Sequence, residues 1–249
     1  MTRVLILGGT SDANALAKAL ASAGIDAIYS YAGRTRVPVD QPLPVRTGGF
    51  GGPDGLARTI RDEGITHVVD ATHPFAGMMS RNAVAACAAA ETPLIALVRA
   101  PWRERDGDRW ITVPDLEAAA NALPDTATTV FLAIGRQHLE CFAAKPQHRY
   151  LLRFVDEPDR PLPLPNSEAI VARGPFTEEG DIELMHAKSV AWVVTRNSGG
   201  AGARAKIDAA RRLGLPVIMI SRPEMPERKC AASVDAVMAW LGHETCRGA

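Results

Sequence analysis

Residues suited to bind phosphate occur first in a glycine-rich turn near the start of the chain. Gly8 and Gly9 end the first apolar run, and Thr10 and Ser11 follow them at the start of a helical pattern. Glycines let the backbone approach a phosphate closely, hydroxyl groups can donate to it, and a helix N-terminus offers free amides and a favourable dipole. The full dinucleotide fingerprint is not met, so a plain turn with Ser11 or Asp12 as the helix N-cap is the alternative. We expect this turn to bind the phosphates of a nucleotide.

The second predicted strand is followed by cations rather than by an acid. Enzymes that use NAD usually place Asp or Glu near the end of this strand to bind the ribose 2′-hydroxyl, whereas this chain has Gly33-Arg34-Thr35-Arg36. Arg34 can bind a phosphate through two parallel hydrogen bonds, and Thr35 adds a hydroxyl. The pattern therefore favours NADP over NAD. The alternative is that Arg34 and Arg36 are two solvated loop charges.

A second glycine cluster follows the third predicted strand. Four of the five residues 48–52 are glycines, and Phe50 lies between Gly49 and Gly51. A backbone with so few side chains can lie flat against a planar ring, so we expect the loop to form a floor under a nicotinamide. A mobile surface loop is the alternative, because glycine clusters are common in loops.

A loop with reactive side chains follows the fourth predicted strand. Residues 70–76 read Asp-Ala-Thr-His-Pro-Phe-Ala and leave the carboxyl end of that strand, the edge at which open α/β sheets bind their ligands. Thr72 and His73 are therefore candidate cofactor ligands. His73 is also the candidate catalytic acid, since an imidazole can transfer a proton near neutral pH. The alternative is a structural imidazole that bonds nearby backbone, with Asp70 serving only turn amides.

Groups that can bind anions recur at strand ends in the second half of the chain. Arg136 follows Gly135, and Arg153 lies on a predicted strand. A longer motif before a helix predicted to begin near Ala203 reads Thr195-Arg196-Asn197-Ser198-Gly199-Gly200. It combines a cation, two polar side chains and glycines at a helix N-terminus, which suits a substrate with carboxylates. A capped turn with an exposed arginine is the alternative.

These residues depend on an alternation of strands and helices for their positions. Short β-branched or aliphatic runs alternate with Ala-rich segments of helical period, which is typical of a parallel sheet covered by helices. In the first half the predicted strands are 4–7, 27–31, 45–47, 66–70 and 94–98, and the predicted helices are 13–23, 54–63 and 78–90. In the second half the predicted strands are 129–134, 150–155, 169–172, 190–195 and 217–221.

The alternation is interrupted by Pro101 and the charged stretch that ends at Asp108, where we place a domain boundary. We predict a nucleotide-binding domain over residues 1–105 and a second α/β domain over residues 106–249. The halves echo each other, since residues 68–72 parallel 193–197 and residues 93–99 parallel 216–222, although α/β units often share this much pattern. The predicted fold class is α/β, with two Rossmann-like parallel-sheet domains facing across a cleft that binds the ligands.

Composition and charge exclude several classes of function. Lys plus Arg and Asp plus Glu number 28 each, and the mean hydropathy is −0.03, so we expect neither a nucleic-acid partner nor a membrane partner. The first apolar run is too short for a signal peptide or a membrane span, so we expect a cytoplasmic protein. The four cysteines lie far apart without a C-x-x-C pair, which predicts no metal site and no disulfide framework.

In this order along the chain, the motifs resemble the precorrin-6A reductase family, which includes cobalt-precorrin-6A reductases. The resemblance covers nearly the whole chain. The matching residues are Gly8-Gly9-Thr10, Ala32-Gly33-Arg34-Thr35, Gly48-Gly49-Phe50-Gly51-Gly52, the loop 70–76, Ile134-Gly135-Arg136, Thr195-Arg196-Asn197-Ser198-Gly199-Gly200, Lys206 and Arg222-Pro223. At Arg196 the family commonly has lysine, which is also a cation.

The resemblance implies an oxidoreductase of cobalamin (vitamin B12) biosynthesis that binds NADPH on its N-terminal domain. It implies hydride delivery to a ring carbon of precorrin-6A, a tetrapyrrole with many carboxylates, to give precorrin-6B. The substrate ligands that it implies include Arg136, residues 195–200 and Lys206. Neighbouring enzymes of the cobalamin pathway are the expected protein partners.

Two alternatives stay open, one of them from a different class of protein. An NADPH-dependent reductase of another small anionic substrate, such as a cyclic imine, would not need the wide, cation-lined cleft that a macrocycle requires. A non-catalytic NADPH-sensing protein would bind NADPH without oxidising it in the presence of any tetrapyrrole.

Overall fold

The computed structural model describes residues 1–32, 39–136, 138–158 and 160–245. It divides into two compact units, the first formed by residues 1–100 and 223–249 and the second by residues 101–222. Each unit is an α/β sandwich around a parallel sheet, so the predicted fold class of two Rossmann-like parallel-sheet domains is confirmed. No helix in the described ranges is both long enough and apolar enough to span a membrane.

Twelve strands and seven α-helices make up the described chain. The strands are β1 (Arg3–Leu7), β2 (Asp26–Tyr31), β3 (Val45–Thr47), β4 (His67–Asp70), β5 (Leu94–Leu97), β6 (Trp110–Val113), β7 (Thr129–Ala133), β8 (Arg149–Phe154), β9 (Ser167–Val171), β10 (Trp192–Arg196), β11 (Val217–Ile220) and β12 (Lys229–Ala231). The helices are α1 (Ser11–Ser22), α2 (Pro53–Asp62), α3 (Gly77–Ala89), α4 (Leu116–Asn121), α5 (Glu178–Ala187), α6 (Ala205–Arg212) and α7 (Val234–Thr245), with a 3-10 helix at Leu139–Ala144.

The sheet of the first unit has the strand order β12-β5-β4-β1-β2-β3, with every pair parallel. Read from β3, this is the 3-2-1-4-5-6 order of dinucleotide-binding folds, in which the chain reverses direction between β1 and β4. Helices α1 and α7 pack on one face through residues such as Leu16 and Trp240. Helices α2 and α3 pack on the other face through residues such as Ile60 and Ala83. Both faces of the strands are therefore buried, as a parallel sheet requires.

The sheet of the second unit has the order β6-β11-β10-β7-β8-β9, again with every pair parallel. Counted from β7, the strands follow the same 3-2-1-4-5 order, so β7 corresponds to β1 and β10 corresponds to β4. The similar sequences of residues 68–72 and 193–197 therefore belong to the equivalent strands β4 and β10. The similar sequences of residues 93–99 and 216–222 belong to β5 and β11.

The predicted domain range 106–249 is corrected to 101–222. Residues 223–249 return to the first unit because β12 pairs with the edge strand β5 and α7 packs against α1. Five strands were predicted in each half of the chain, and β6 and β12 were not predicted. Strand β12 is only three residues long, Lys-Cys-Ala, and β6 follows a charged stretch, so neither stands out as an apolar run.

Candidate active site

The centre of the first unit's sheet brings two predicted ligand loops together. Strands β1 and β4 are neighbours, with Leu7 opposite Asp70 at their carboxyl ends. The glycine-rich turn, residues 8–11, leaves β1, and the loop 71–76 leaves β4. This is the point where the strand order reverses, which is where open α/β sheets bind their ligands.

The glycine-rich turn is shaped by a tyrosine of β2. A Cβ placed on Gly8 would lie 2.2 Å from the ring of Tyr29, so no larger residue fits there without a shift. The Gly8 amide donates to the Ser30 carbonyl at 2.9 Å, and the Gly9 amide donates to the Tyr29 hydroxyl at 2.9 Å. Gly9 has a φ of +110°, which disfavours any residue with a side chain. The hydroxyl of Tyr29 in turn donates to Asn14 at 2.7 Å, and burial raises the pKa of Tyr29.

Thr10 is the N-cap of α1, which corrects the alternative that placed Ser11 or Asp12 there. Its hydroxyl accepts from the Ala13 amide at 3.1 Å and donates to the Ala71 carbonyl at 2.8 Å. Thr10 therefore ties the turn after β1 to the loop after β4. Ser11 is exposed at the first position of the helix. The first amides of a helix have no intrahelical partner, so those of Ser11 and Asp12 are suited to bind an anion.

A carboxylate and a cation also lie at this helix N-terminus. Asp12 occupies the first turn of α1, and the Nε atom of Arg99, just after β5, lies 3.5 Å from its carboxylate. Arg99 thereby offsets a negative charge that would otherwise oppose a phosphate at the turn.

Asp70 is the centre of a buried polar network beneath the loop 71–76. One carboxylate oxygen accepts from the hydroxyl of Thr72 at 2.6 Å and from its amide at 3.2 Å. The other accepts from Ser80 at 2.6 Å and from Arg228 at 2.8 Å. The Asp70 and Arg228 side chains are 1% and 10% exposed, so this is a buried ion pair. The network fixes Thr72, whose hydroxyl proton is committed to Asp70.

His73 lies half-buried at the carboxyl edge of the sheet, within the same loop. Its Nδ1 atom accepts a hydrogen bond from the Phe75 amide at 3.2 Å, and its carbonyl accepts from the Ala76 amide at 2.7 Å. An acceptor at Nδ1 must carry a lone pair, so this bond favours the neutral ring with its proton on Nε2. The arrangement orients the imidazole within the loop.

The glycine cluster 48–52 lies after β3, at the edge of the sheet and three strands from β4. The Gly48 amide donates to the Tyr31 carbonyl at 2.9 Å, and Phe50 packs against the core formed with α2 and α3. A Cβ on Gly55 would lie 1.7 Å from the Phe50 carbonyl, so the loop folds back closely onto α2. Gly49 and Gly51 are exposed.

The two residues predicted to select NADP, Arg34 and Thr35, lie outside the described residues, as does Arg36. The described cation nearest to them along the chain is Arg46 on β3, a residue that the sequence analysis did not single out.

In the second unit, Arg136 and Arg196 lie at the carboxyl ends of neighbouring central strands. Arg136 follows β7 and Arg196 ends β10, at the point where the order of this sheet reverses. The guanidinium of Arg136 donates to the carbonyls of Asp156 and Glu157 and is exposed. Arg196 is half-buried. Both cations therefore lie at the carboxyl edge of the sheet, where a ligand can reach them.

The loop after β10 is braced by two residues that the motif alone did not reveal as supports. Asn197 exchanges two hydrogen bonds with the backbone of Trp102, at 2.8 and 3.0 Å, and the Trp102 indole donates to the Gly200 carbonyl at 2.7 Å. Arg222 donates to the Asn197 and Ser198 carbonyls at 2.9 and 3.0 Å.

The remaining predicted members of this motif have different environments. Thr195 is buried on β10, and Gly199 and Gly200 have φ values of +69° and +72°. Helix α6 begins at Ala205 rather than near Ala203, so residues 201–204 separate the glycines from the helix N-terminus.

Lys206 does not join the predicted substrate ligands at the sheet edge. It is 6% exposed, donates to the Ala203 carbonyl at 2.5 Å, and lies 5.2 Å from the ring of Trp102. Arg153 is also committed, because it bonds both oxygens of the buried Asp181 at 2.5 and 3.3 Å. Burial, with a smaller contribution from Arg153, lowers the pKa of Lys206 to about 8.

We expect Lys206→Met to stabilise the protein near neutral pH by about 1–3 kcal/mol. The pKa of Lys206 is lower in the folded chain than its ordinary value of 10.5, so the unfolded chain binds more protons between about pH 8 and 10.5. The free energy of unfolding of the wild type should rise with pH across that window, and the variant should lose this rise. Denaturant unfolding across the window measures both effects, with exposed Lys18→Met as the control. A less stable variant at neutral pH would show that the cation supports the fold.

Comparison with known proteins identifies the family of this chain. Residues 3–242 match the family model described as Precorrin-6x reductase CbiJ/CobK. The chain is 58% identical over 241 residues to a precorrin-6A reductase of Rhodobacter capsulatus, covering 97% of this chain and 96% of that protein. It is 46% identical over 249 residues to a precorrin-6A reductase of Rhodococcus erythropolis, covering 99% and 100%. A solved structure titled CobK precorrin-6A reductase superposes with a TM-score of 0.94 at 58% identity, covering 98% of this chain and 97% of that one.

Proposed function

The chain belongs to the precorrin-6x reductase family, and from this premise we propose that it is an NADPH-dependent oxidoreductase that converts precorrin-6A to precorrin-6B in cobalamin biosynthesis. The observation that carries the proposal is the 58% identity to a precorrin-6A reductase, which extends over 97% of the chain and therefore over both units. The geometry of the first unit supports it independently, because a nucleotide-binding strand order and a glycine turn coincide at its centre.

The residues of the first unit fit a dinucleotide. No atom lies within 4 Å of a Cβ built on Gly9, so a phosphate can approach the backbone there, and the amides of Ser11 and Asp12 lie at a helix N-terminus. These groups would hold the two central phosphates. In this fold the β1-β2-β3 half serves one nucleotide and the β4-β5 half serves the other, so Thr72 and His73 would lie on the nicotinamide side. The glycine cluster 48–52 lies on the opposite half of the sheet. We therefore propose that it contacts the adenosine and not the nicotinamide.

When bound, NADPH supplies the hydride, and a proton must also reach the macrocycle to complete a two-electron reduction. Asp70 holds Thr72 and thereby the shape of the loop 71–76, while the Phe75 amide donates to the Nδ1 atom of His73 and orients its ring. We assign His73 a role in orienting the nicotinamide. Catalysis by this chain then depends mainly on position, since hydride transfer requires close and aligned reactants more than acid–base groups.

The carboxylates of the tetrapyrrole would be bound by Arg136, Arg196 and the backbone of the loop 197–200 at the sheet edge of the second unit. The braces from Trp102 and Arg222 keep this loop in one shape. Lys206 is buried next to Trp102 and is therefore left out of the proposed substrate ligands. We also propose the metal-free macrocycle as substrate, because relatives named precorrin-6A reductase are 40–58% identical to this chain, whereas those named cobalt-precorrin-6A reductase are 26–31% identical.

Anaerobic mixing of the purified protein with NADPH and precorrin-6A tests the proposal. We expect NADPH to be oxidised only when the macrocycle is present, and more slowly with the cobalt-loaded macrocycle. Arg196→Ala should weaken use of precorrin-6A about tenfold or more while NADPH binding is kept, since a hydrogen bond to a charged group contributes roughly 1.5–3 kcal/mol. Tight NADPH binding with no oxidation under any of these conditions would instead support a sensing protein.

A further inference from the structure

Arg46 is a cation held in a fixed position at the end of β3. Its Nη1 atom donates to the Ser30 hydroxyl at 3.0 Å and to the Gly48 carbonyl at 3.2 Å, and its Nη2 atom lies 3.4 Å from the Gly49 carbonyl. The guanidinium carbon lies 3.8 Å from the centre of the Phe50 ring. These contacts place the guanidinium over an aromatic face and restrict its freedom.

Arg46 is linked to the phosphate-binding turn through one residue. The Ser30 carbonyl accepts from the Gly8 amide at 2.9 Å, while the Ser30 side chain accepts from Arg46. Gly8, Ser30 and Arg46 therefore follow one another across the ends of β1, β2 and β3. Two strand spacings separate Arg46 from the turn, about 10 Å. This is the side of the sheet on which the adenosine ribose lies in dinucleotide-binding folds.

The carboxylate of Glu63 acts on the charge of Arg46 at long range, but Arg46 forms no ion pair within the described part of the chain. No carboxylate of those residues lies within ion-pair distance of it, in contrast to Arg3, Arg99 and Arg228. Its three hydrogen-bond partners are neutral oxygens, and burial lowers the pKa of its guanidinium from the ordinary value. Of the five N–H groups of a guanidinium, these bonds occupy three, which leaves two donors for a further acceptor.

We propose that Arg46 binds the 2′-phosphate of NADPH and that Ser30 and Phe50 position it. The inference rests on the proposed function, since it adds a protein residue to the proposed NADPH site. A planar guanidinium with two free donors suits a phosphate, which accepts bidentate hydrogen bonds. Arg34 and Thr35 are predicted to serve the same phosphate, so Arg46 adds a second cation from the sheet itself.

Binding of NADPH, NADH, 2′,5′-ADP and 5′-AMP to the wild type and to Arg46→Leu tests the proposal. We expect the variant to bind NADPH and 2′,5′-ADP about tenfold more weakly or worse, which corresponds to the loss of a hydrogen bond to a charged group. NADH and 5′-AMP lack the 2′-phosphate and should bind with unchanged affinity. Arg46→Lys keeps the charge without the planar fork and should give an intermediate loss. Exposed Arg58→Leu on the neighbouring helix α2 is the matched control and should change no affinity.

Salt dependence gives a second readout that a purely structural role would not move. The affinity of the wild type for 2′,5′-ADP should fall with ionic strength, and the variant should show a shallower fall because one charge contact is missing. Equal weakening of all four ligands would mean that Arg46 only shapes the loop 48–52 and would overturn the inference, as would unchanged affinities. A wild type that binds NADPH no better than NADH would contradict the NADPH assignment itself, which separates the two failures.

Discussion

Replacing Asp70 by Asn is expected to destabilise the protein by about 3–5 kcal/mol. The substitution removes the negative charge that faces Arg228 at 2.8 Å in a site where both side chains are almost fully buried. A buried cation that has lost its counter-ion destabilises the folded state far more than an exposed one. The buried cation has been removed from water, and no carboxylate remains to compensate for the lost hydration. The loop 71–76 should also lose its anchor, since Thr72 and Ser80 bond the same carboxylate. Denaturant unfolding of the purified variant measures the loss.

Two further variants separate this cause from others. Asp40→Asn changes the same chemistry at an exposed position and should alter the unfolding free energy by less than about 0.5 kcal/mol. Arg228→Met combined with Asp70→Asn should cost less than the sum of the two single changes, because the double variant leaves no buried unpaired charge. Strict additivity would show that the ion pair is not energetically coupled.

The second large effect concerns the turn itself. Gly8→Ala should destabilise the protein by about 1–3 kcal/mol and weaken NADPH binding by about tenfold or more. The added methyl would lie 2.2 Å from the ring of Tyr29, which is fully buried and bonded to Gly9 and Asn14, so the ring cannot turn aside without breaking those bonds. The turn must therefore move, and the amides at the start of α1 move with it. Thermal unfolding and nicotinamide fluorescence measure the two losses.

Gly49→Ala is the matched control for this change. A Cβ at Gly49 meets no atom within 4 Å, so alanine should fit there with little effect on stability. If Gly49→Ala abolished NADPH binding while Gly8→Ala kept it, the phosphates would have to bind at the β3 loop instead of at the β1 turn.

The central strands and the β1 turn could be predicted because their signals are local. A buried parallel strand is a short apolar run, and β1, β2, β3 and β10 were located to within about two residues by this rule. The glycine turn was found because a phosphate site requires small residues at a strand end.

What could not be predicted depends on residues distant along the chain. Tyr29 shapes the turn from 20 residues away, and Arg228 reaches Asp70 across 158 residues. Neither has a local pattern that marks its partner. The resemblance to the family implied Lys206 as a substrate ligand, but only the structure shows that the side chain is buried next to Trp102. Strand β12 has no apolar run and is defined only by its pairing with β5.

The most direct test of the account is transfer of the label from deuterated coenzyme. NADPH carrying deuterium at both C4 positions is mixed anaerobically with the protein and precorrin-6A, and the product is analysed by mass spectrometry. We predict precorrin-6B that is heavier by a single deuterium, because hydride passes directly from the nicotinamide to a ring carbon. Consumption of NADPH with no deuterium in the macrocycle, or no consumption at all, would contradict the assignment of this chain as the reductase.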